Sequence, residues 1–527
     1  MSDETFDYVV IGSGSAGGVV AARLSEDPTI RVLLLEAGPV DDDEMIRMPI
    51  GFSALFKTKW DWNYETTPQK HLAGRRAYWP RMKALGGCSS MNAMIYIRGN
   101  HGDFDEWRDA YGATGWGYED VLPYFKKAEG NTRLGDPFHG TDGPLHVEDP
   151  TYAHPLNSAF QESAVSAGLK HTDDFNGAQQ EGVGTFQLTT RKGRRWSVAD
   201  AYIRPAQERP NLTVRTEAFV TRIVLDGTRA TGVAYRRHGE DVVVRAEAEV
   251  VLSGGAINSP QLLMLSGIGP GAHLREMGID VAVESSGVGQ NLQDHPVSGV
   301  VSYTKDTTDM AEMLGLTNLL RWRATGKGPL SSNIADTGAF FASRDDLALP
   351  DIQLHVAATG FVDNGMHEPM RRAHTTGVTL VNVQSKGHVR LRSADPTWHP
   401  EIDPGYFDDH ADMEAMLGGF RRAYEIVSQG PFTRLVDTPW IPAATNPTDD
   451  QIIEAIGGYA QTLYHPVGTC AMGTVESSVV DPQLKVHGVD GLRVADASVM
   501  PRVPRGNTNA PTIMIGEKCA DLIKQSR

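Results

Sequence analysis

A short apolar run, Asp7–Ile11, gives way at once to Gly12-Ser13-Gly14-Ser15-Ala16-Gly17 and then to the helical pattern Val19-Val20-Ala21-Ala22-Arg23-Leu24. Strand, glycine turn and helix in that order leave little choice of fold. A second continuous apolar strand, Val32–Leu35, follows, and such strands suit a parallel sheet covered on both faces. In a G-x-G-x-x-G turn the first glycine permits the bend, the second lets backbone approach a pyrophosphate, and the third lets the helix pack on the strand. The helix N-terminus then offers free N–H groups and the positive end of its dipole. The second strand ends at Glu36-Ala37, about 20 residues past the turn, where a carboxylate accepts from ribose hydroxyls and disfavours a 2′-phosphate. The unit reads as a dinucleotide site rather than a ligand-free glycine turn. By itself it does not separate NAD from FAD.

At 527 residues the chain has room for roughly two to four domains. Its 40% hydrophobic and 22% charged residues are ordinary for a globular protein. A net charge of −17 argues against nucleic acid and anionic membrane as partners and is read as a solubility feature rather than as a mark of a cationic substrate. Cys88, Cys470 and Cys519 are odd in number and far apart, which suggests neither a disulfide framework nor zinc. The histidines show no ligand spacing, so no metal is expected. The opening MSDETFDYVVIG has no basic stretch before an apolar one, and no apolar run approaches the ~18 residues of a membrane span. A soluble, cytoplasmic protein with no integral membrane segment is expected, and the Asn211-Leu212-Thr213 triplet is read as an accident. Nothing here fixes whether the chain is a monomer or a homo-oligomer.

Further along, Tyr78–Arg98 is rich in glycine and serine at its middle and reads as a loop leading into a helix or strand. Helical character marks Tyr118–Lys127 and Met413–Ser428. Alternating patterns at Leu212–Arg215, Ala218–Leu225, Thr231–Arg237 and Val242–Val251 predict an antiparallel meander ending in the buried strand Val250–Leu252. Ser259–Leu265 predicts a short helix after a proline, Ile352–Val356 and Gly387–Leu391 predict strands, and the chain closes with strand, loop and helix over Gly491–Val499 and Thr512–Ile523. No repeat is present. The fold class is α/β (mixed α+β): a Rossmann-type nucleotide domain interleaved with a sheet-based substrate domain. The nucleotide domain takes residues 1–155, 196–300 and 461–527; the substrate domain takes 156–195 and 301–460.

Three later motifs choose the cofactor. Arg81-Met82-Lys83-Ala84-Leu85-Gly86-Gly87-Cys88-Ser89-Ser90-Met91-Asn92 resembles the first signature of the glucose–methanol–choline (GMC) flavoprotein oxidoreductases. Gly255-Ala256-Ile257-Asn258-Ser259-Pro260, running on to Gly269, resembles their second. His465-Pro466-Val467-Gly468-Thr469 and Gly506-Asn507-Thr508-Asn509-Ala510-Pro511-Thr512 resemble their C-terminal active-site pair. The wording of Tyr464–Thr469, Gly491–Pro501 and Gly506–Met514 is most similar to the choline and aliphatic-alcohol dehydrogenase branch. The resemblance implies FAD held by Gly12, Gly14, Ser15, Ala16, Gly17, Glu36 and Ala37. It also implies that Gly86, Gly87, Ser90, Asn92 and Ala93 pass close to the flavin ring and that Val220 lies near the adenine. Asp496 and Ala497 would contact the ribityl–pyrophosphate portion, and Asn507 and Thr508 would close the site. Some members carry a histidine that bonds covalently to the flavin; Met91 stands in this loop, and non-covalent FAD is expected.

Oxidising an alcohol requires the removal of a hydroxyl proton and of a hydride from the same carbon. An imidazole can accept the proton or hold the developing alkoxide, and an amide can donate to the substrate oxygen. The resemblance assigns these roles to His465 and Asn507; alone, a histidine in Tyr-His-Pro would be read as structural. His355 either faces the pocket or is an ordinary strand histidine, and Tyr464 is placed at the pocket edge. Trp60, Trp62 and Tyr64 either flank the flavin or pack in the core, and Cys88 adjoins the flavin loop. Choline oxidases of the family carry a glutamate after Asp-His-Pro, where this chain has Val297 after Asp294-His295-Pro296. An apolar side chain does not balance a quaternary cation, so a neutral primary alcohol, aliphatic or aryl, is favoured over choline, with oxygen or a quinone or other carrier as electron acceptor. A nicotinamide dehydrogenase would share only the first motif. An FAD-containing hydroxynitrile lyase is the alternative of another class.

Overall fold

The computed structural model describes residues 4–367 and 369–527, so the first three residues of the opening stretch lie outside it. Its core is two seven-stranded sheets. In the first, five strands run parallel in the order Leu212–Arg215, Val32–Leu35, Thr5–Ile11, Glu240–Leu252 and Leu492–Val494. The long Glu240–Leu252 strand serves two neighbours. Its first half pairs antiparallel with Arg229–Arg237, which pairs with Phe219–Asp226, while its second half lies in the parallel core. The tight hairpin into it has positive φ at both His238 (51°) and Gly239 (85°), the geometry that matches strand twist in a two-residue turn.

Helices Gly17–Leu24 and Asn509–Gln525 pack together on this sheet. At their crossing a Cβ on Gly516 would stand 2.8 Å from the Ala16 carbonyl oxygen, so the close approach requires glycine. Val19 and Val20 of the first helix and Val9, Val10, Leu33 and Leu34 of the strands are fully buried, each stabilising the fold by about 1.5–3 kcal/mol.

The second sheet is antiparallel, in the order Val436–Ile441, Pro296–Thr304, Ala373–Leu380, Ile352–Ala357, Thr337–Phe341 and Gly182–Thr185, with Gln461–Thr462 added beside Pro296. Helix His410–Val427 covers one face through Met416, Phe420 and Ala423, and Gly419 lets it come down onto Val378 and Ile352. Because side chains alternate along a strand, the other face carries Val297, Gly299 and Val301, then His355 and Ala357, then Thr375 and Gly377. All seven line one cavity.

Two expectations are corrected. Leu212–Arg215 is no part of a meander: it runs parallel to Val32–Leu35 at the sheet edge, because buried apolar residues alternate alike in both settings. The helix predicted from Ser259 begins at Gly255 and keeps Pro260 inside it. Proline cannot donate to the carbonyl four residues back, and that carbonyl, Ala256, accepts instead from the Thr469 hydroxyl at 2.6 Å. The glycine-rich loop forms a short 3-10 turn at Gly87–Ser90 and then runs irregularly, with positive φ at Met94 and Gly99, to the helix His101–Tyr111, which starts at a capping box of Asn100 and Asp103. Asn211 is engaged within the fold, its amide donating to the carbonyls of Ser25, Asp27 and Ile30. Among the described residues no helix is long and apolar enough to cross a membrane.

Thr469→Val keeps the side-chain shape and removes the donor to Ala256. An unpaired buried carbonyl costs about 1–3 kcal/mol, so the thermal midpoint of the purified holoenzyme is expected to fall; an unchanged midpoint would show that the bond carries no stability.

Candidate active site

One cavity runs from Glu36 and Ala37, past Gly12, Gly14, Ser15 and Ala16, beside Gly87, Asn92 and Ala93, to His465 and Asn507. Val220, Asp496, Ala497 and Thr508 also line it. The turn is built on contacts that only glycine allows. Gly12 has φ 93°, and a Cβ there would lie 2.3 Å from the Ser253 carbonyl oxygen. Gly87 has φ 51°, and its Cβ would lie 2.6 Å from the Gly14 Cα, so the two glycine motifs touch backbone to backbone. Gly17, Gly86 and Ser90 stand behind the wall. A Cβ on Gly17 would meet the Gly12 carbonyl, Gly86 N–H donates to Ser13 Oγ, and Ser90 Oγ donates to the Leu85 carbonyl.

Two carboxylates organise this end. Glu36 accepts from Ser13 N–H at 3.1 Å, Ser13 Oγ at 2.6 Å and Gly38 N–H at 2.9 Å. Burial pushes its carboxyl above the usual range, against those three hydrogen bonds. Asp496 accepts from Gly255 N–H, the Ser259 hydroxyl and Ser498 N–H, and burial likewise pushes it up. Ser15 Oγ donates to Asn509 Oδ1 at 2.7 Å, which ties the turn to the start of the C-terminal helix. The first turns of helices Gly17–Leu24 and Asn509–Gln525 contain no acid, so two positive helix ends face the cavity with no carboxylate of their own to offset them. This cradle fits a dinucleotide pyrophosphate.

At the other end His465 is buried. Its N–H donates to Asp294 Oδ1 at 2.8 Å, and Asp294 Oδ2 takes the Tyr406 hydroxyl. The preceding residue, Tyr464, is held at φ 70°, with its carbonyl accepting from Arg81 and its hydroxyl donating to Asn364. His465 Nδ1 lies 3.0 Å from His295 Nδ1, the rings at 88°, and its Nε2 lies 3.4 Å from Asn507 Nδ2. Gln353 Nε2 donates to Asn507 Oδ1 at 3.3 Å, which turns the amide N–H₂ toward His465. Nε2 is then the lone-pair nitrogen, and the ring proton sits on Nδ1, donated to His295. Burial first, and then His295 and His355, hold His465 well below the ordinary imidazole value; His295 is pushed down to about 3. Both rings are neutral at physiological pH.

His355 lines the cavity from its strand, with Nδ1 3.3 Å from the Thr379 hydroxyl and Nε2 without a partner among the described residues. Burial lowers it to about 4. Val297 and Tyr464 line the same end. Trp62 reaches the cavity wall, whereas Trp60 and Tyr64 are buried in packing, and Cys88 lies at the wall.

Four functional residues escape the sequence reading. His295 and Asp294 sit in the very Asp-His-Pro motif used to weigh choline, and only folding sets them against His465. Gln353 lies two residues before His355 on the same strand face. Arg195 is fully buried and, among the described residues, pairs with no carboxylate; it donates to the carbonyls of Ile46, Ser89 and Asn92 and to Asn92 Oδ1, pinning the Gly87–Asn92 loop. Burial draws its guanidinium down to about 9, still a cation at neutral pH. Arg195→Met is expected to leave a folded protein that purifies with severalfold less flavin absorbance per chain; a full complement would remove Arg195 from cofactor retention.

Two family models, both described as GMC oxidoreductase, match residues 6–297 and 383–516. The chain is 41% identical to an alcohol dehydrogenase [acceptor] of Pseudomonas putida over 98% of its length and 95% of the relative's. It is 42% identical to the mitochondrial choline dehydrogenase of Homo sapiens over 99% and 90%. The crystal structure of pyridoxine 4-oxidase from Mesorbium loti superposes with a TM-score of 0.91 at 31% identity, covering 99% of each chain. With both domain models matched along its length and the glycine cradle opening onto a histidine–asparagine pair, the chain belongs to the GMC oxidoreductases, a family of FAD-binding flavoproteins.

Proposed function

We propose that this flavoprotein oxidises a neutral primary alcohol to the aldehyde. FAD, when bound, supplies the hydride acceptor. The residues that would hold it non-covalently are those of the Gly12–Gly17 turn, Glu36, the Gly86–Ala93 loop, Asp496 and Thr508. Met91, a buried thioether, is no nucleophile for a covalent link.

One observation carries the reading: a lone-pair imidazole nitrogen and an amide donor stand 3.4 Å apart on the wall shared by the flavin loop and an apolar pocket. His465 Nε2 accepts the hydroxyl proton, and Asn507 Nδ2 donates to the substrate oxygen as charge gathers there. His295 receives the Nδ1 hydrogen bond and so fixes the tautomer that leaves Nε2 free. Asp294, holding the His465 backbone, fixes where that nitrogen points.

The pocket wall supports a neutral substrate. Phe52, Phe56, Val301, Ile334, Val362 and Ile441 form it with Val297, and among the described lining residues the carboxylates are Glu36 and Asp496, both at the nucleotide end. The relative from Pseudomonas putida is named an alcohol dehydrogenase. The aromatic rings of the wall favour one competing reading, choline held by cation–π contact, in keeping with the name of the human relative.

Anaerobic mixing with a panel of neutral primary alcohols is expected to bleach the flavin absorbance, and choline is expected to act far more slowly. Bleaching by choline alone would overturn the neutral-alcohol reading, and no bleaching by any alcohol would point to lyase chemistry. The speed of recovery in air then separates oxygen from a quinone or other carrier as acceptor. His465→Ala should retain FAD and reduce the bleaching rate by about 10²–10⁴-fold.

The pH dependence follows from the depressed His465. A base titrating well below 6.5 remains competent as pH falls through 6.5, so the reduction rate should hold constant there and drop only in more acidic buffer. A loss centred at or above pH 6.5 would contradict a neutral, buried base.

A further inference from the structure

Far from the nucleotide end, the surface carries three leucines that the fold leaves uncovered: Leu314, Leu316 and Leu320, exposed by 54%, 69% and 55%. They stand on and just before helix Leu316–Thr325, which follows the short turn Met310–Met313. The helix itself is firmly seated. Trp322 is buried beneath it and donates to the Gly193 carbonyl at 2.9 Å, while the Arg194 guanidinium lies over the Trp322 ring at 4.3 Å and donates to the Arg323 carbonyl. A rigid element therefore presents leucines i and i+4 outward together.

The leucines are bordered by cations, and the acid of the same segment, Glu312, is paired with Arg372. Arg321 and Lys327 are exposed and, among the described residues, have no carboxylate ion pair; exposed Lys192 passes beside Gly326, its carbonyl 2.0 Å from where a Cβ on that glycine would stand. Arg323 pairs with Glu44. The whole chain carries −17, yet fields between exposed charges fade beyond about 8 Å in physiological salt, so the local basic rim decides what approaches this face. Leucines on one face with Arg and Lys beside them are the composition of a helix that lies in a lipid interface. Two copies meeting leucine to leucine would bring like-charged rims together.

We propose that the Met310–Lys327 segment docks this protein on the surface of an anionic phospholipid bilayer, with Leu314, Leu316 and Leu320 entering the headgroup boundary and Arg321, Lys327 and Lys192 against the lipid phosphates. The docked face borders the cavity: Glu44 pairs with Arg323, the Pro49–Leu55 turn that carries Phe52 packs beside Pro329–Ser331, and Asn333 and Ile334 line the wall. An apolar reactant dissolved in the bilayer would meet the protein on its substrate side.

The test is co-sedimentation of the purified holoenzyme with phosphatidylcholine–phosphatidylglycerol vesicles, read by flavin absorbance in the pellet so that only folded, loaded protein counts. Binding is expected to fall about tenfold in Leu316→Glu/Leu320→Glu and in Arg321→Glu/Lys327→Glu, and with pure phosphatidylcholine vesicles. Alcohol-driven flavin reduction in solution should be the same in both variants, which keeps this outcome separate from the proposed activity. No sedimentation with anionic vesicles, sedimentation of either variant undiminished from that of the unaltered protein, or a leucine-dependent dimer by light scattering in place of vesicle binding would overturn the proposal.

Discussion

The backbone contact between Gly14 and Gly87 is the constraint on which the rest of the site depends. One glycine belongs to the turn that opens the first helix, the other to a loop more than 70 residues later, and no side chain intervenes between them. Ser13 extends the contact: its hydroxyl donates to Glu36 and accepts from Gly86 N–H, so turn, acid and loop form one hydrogen-bonded unit. From that unit the cavity wall continues without a break to His465. Arg195 then does from behind what the glycines do in front, holding the loop by its carbonyls at the cost of a buried, unpaired cation.

Much of this was legible in the residues. A glycine turn between strand and helix has one low-energy geometry, and the Glu36 position follows from the length of a helix and a return strand. The motifs around Gly86, Gly255, His465 and Asn507 each marked a piece of the wall. What could not be read is how distant pieces meet. His295 and His465 are 170 residues apart, and nothing in either motif announces a hydrogen bond between their rings. Gln353 orients Asn507 only because two strands and a loop converge. The strand Leu212–Arg215 shows the complementary failure: its alternation fits a meander or a parallel edge equally well, and tertiary pairing decides.

The same convergence sets the electrostatics. Three imidazoles, His295, His355 and His465, are buried, and loss of hydration is the first cause that keeps each from protonating; His355 further opposes a proton on His295, and both oppose one on His465. Their neutrality thus begins with burial, and at His465 the two neighbouring rings deepen it. Asp294 sits beside them without neutralising them, spent on the His465 backbone and the Tyr406 hydroxyl.

The cavity-facing side of the antiparallel sheet includes Gly299 and Gly377 among its alternating positions. A methyl at Gly377 would rest 3.5 Å from Val297 Cγ2, an ordinary contact, whereas one at Gly299 would crowd Thr375 at 3.2 Å. The room on this side of the cavity is therefore written in side chains that are missing, on strands that carry neither His465 nor Asn507. Under the proposed reaction, preference for a longer or shorter alcohol can drift in this scaffold, one methyl at a time, while His465 and Asn507 stay untouched.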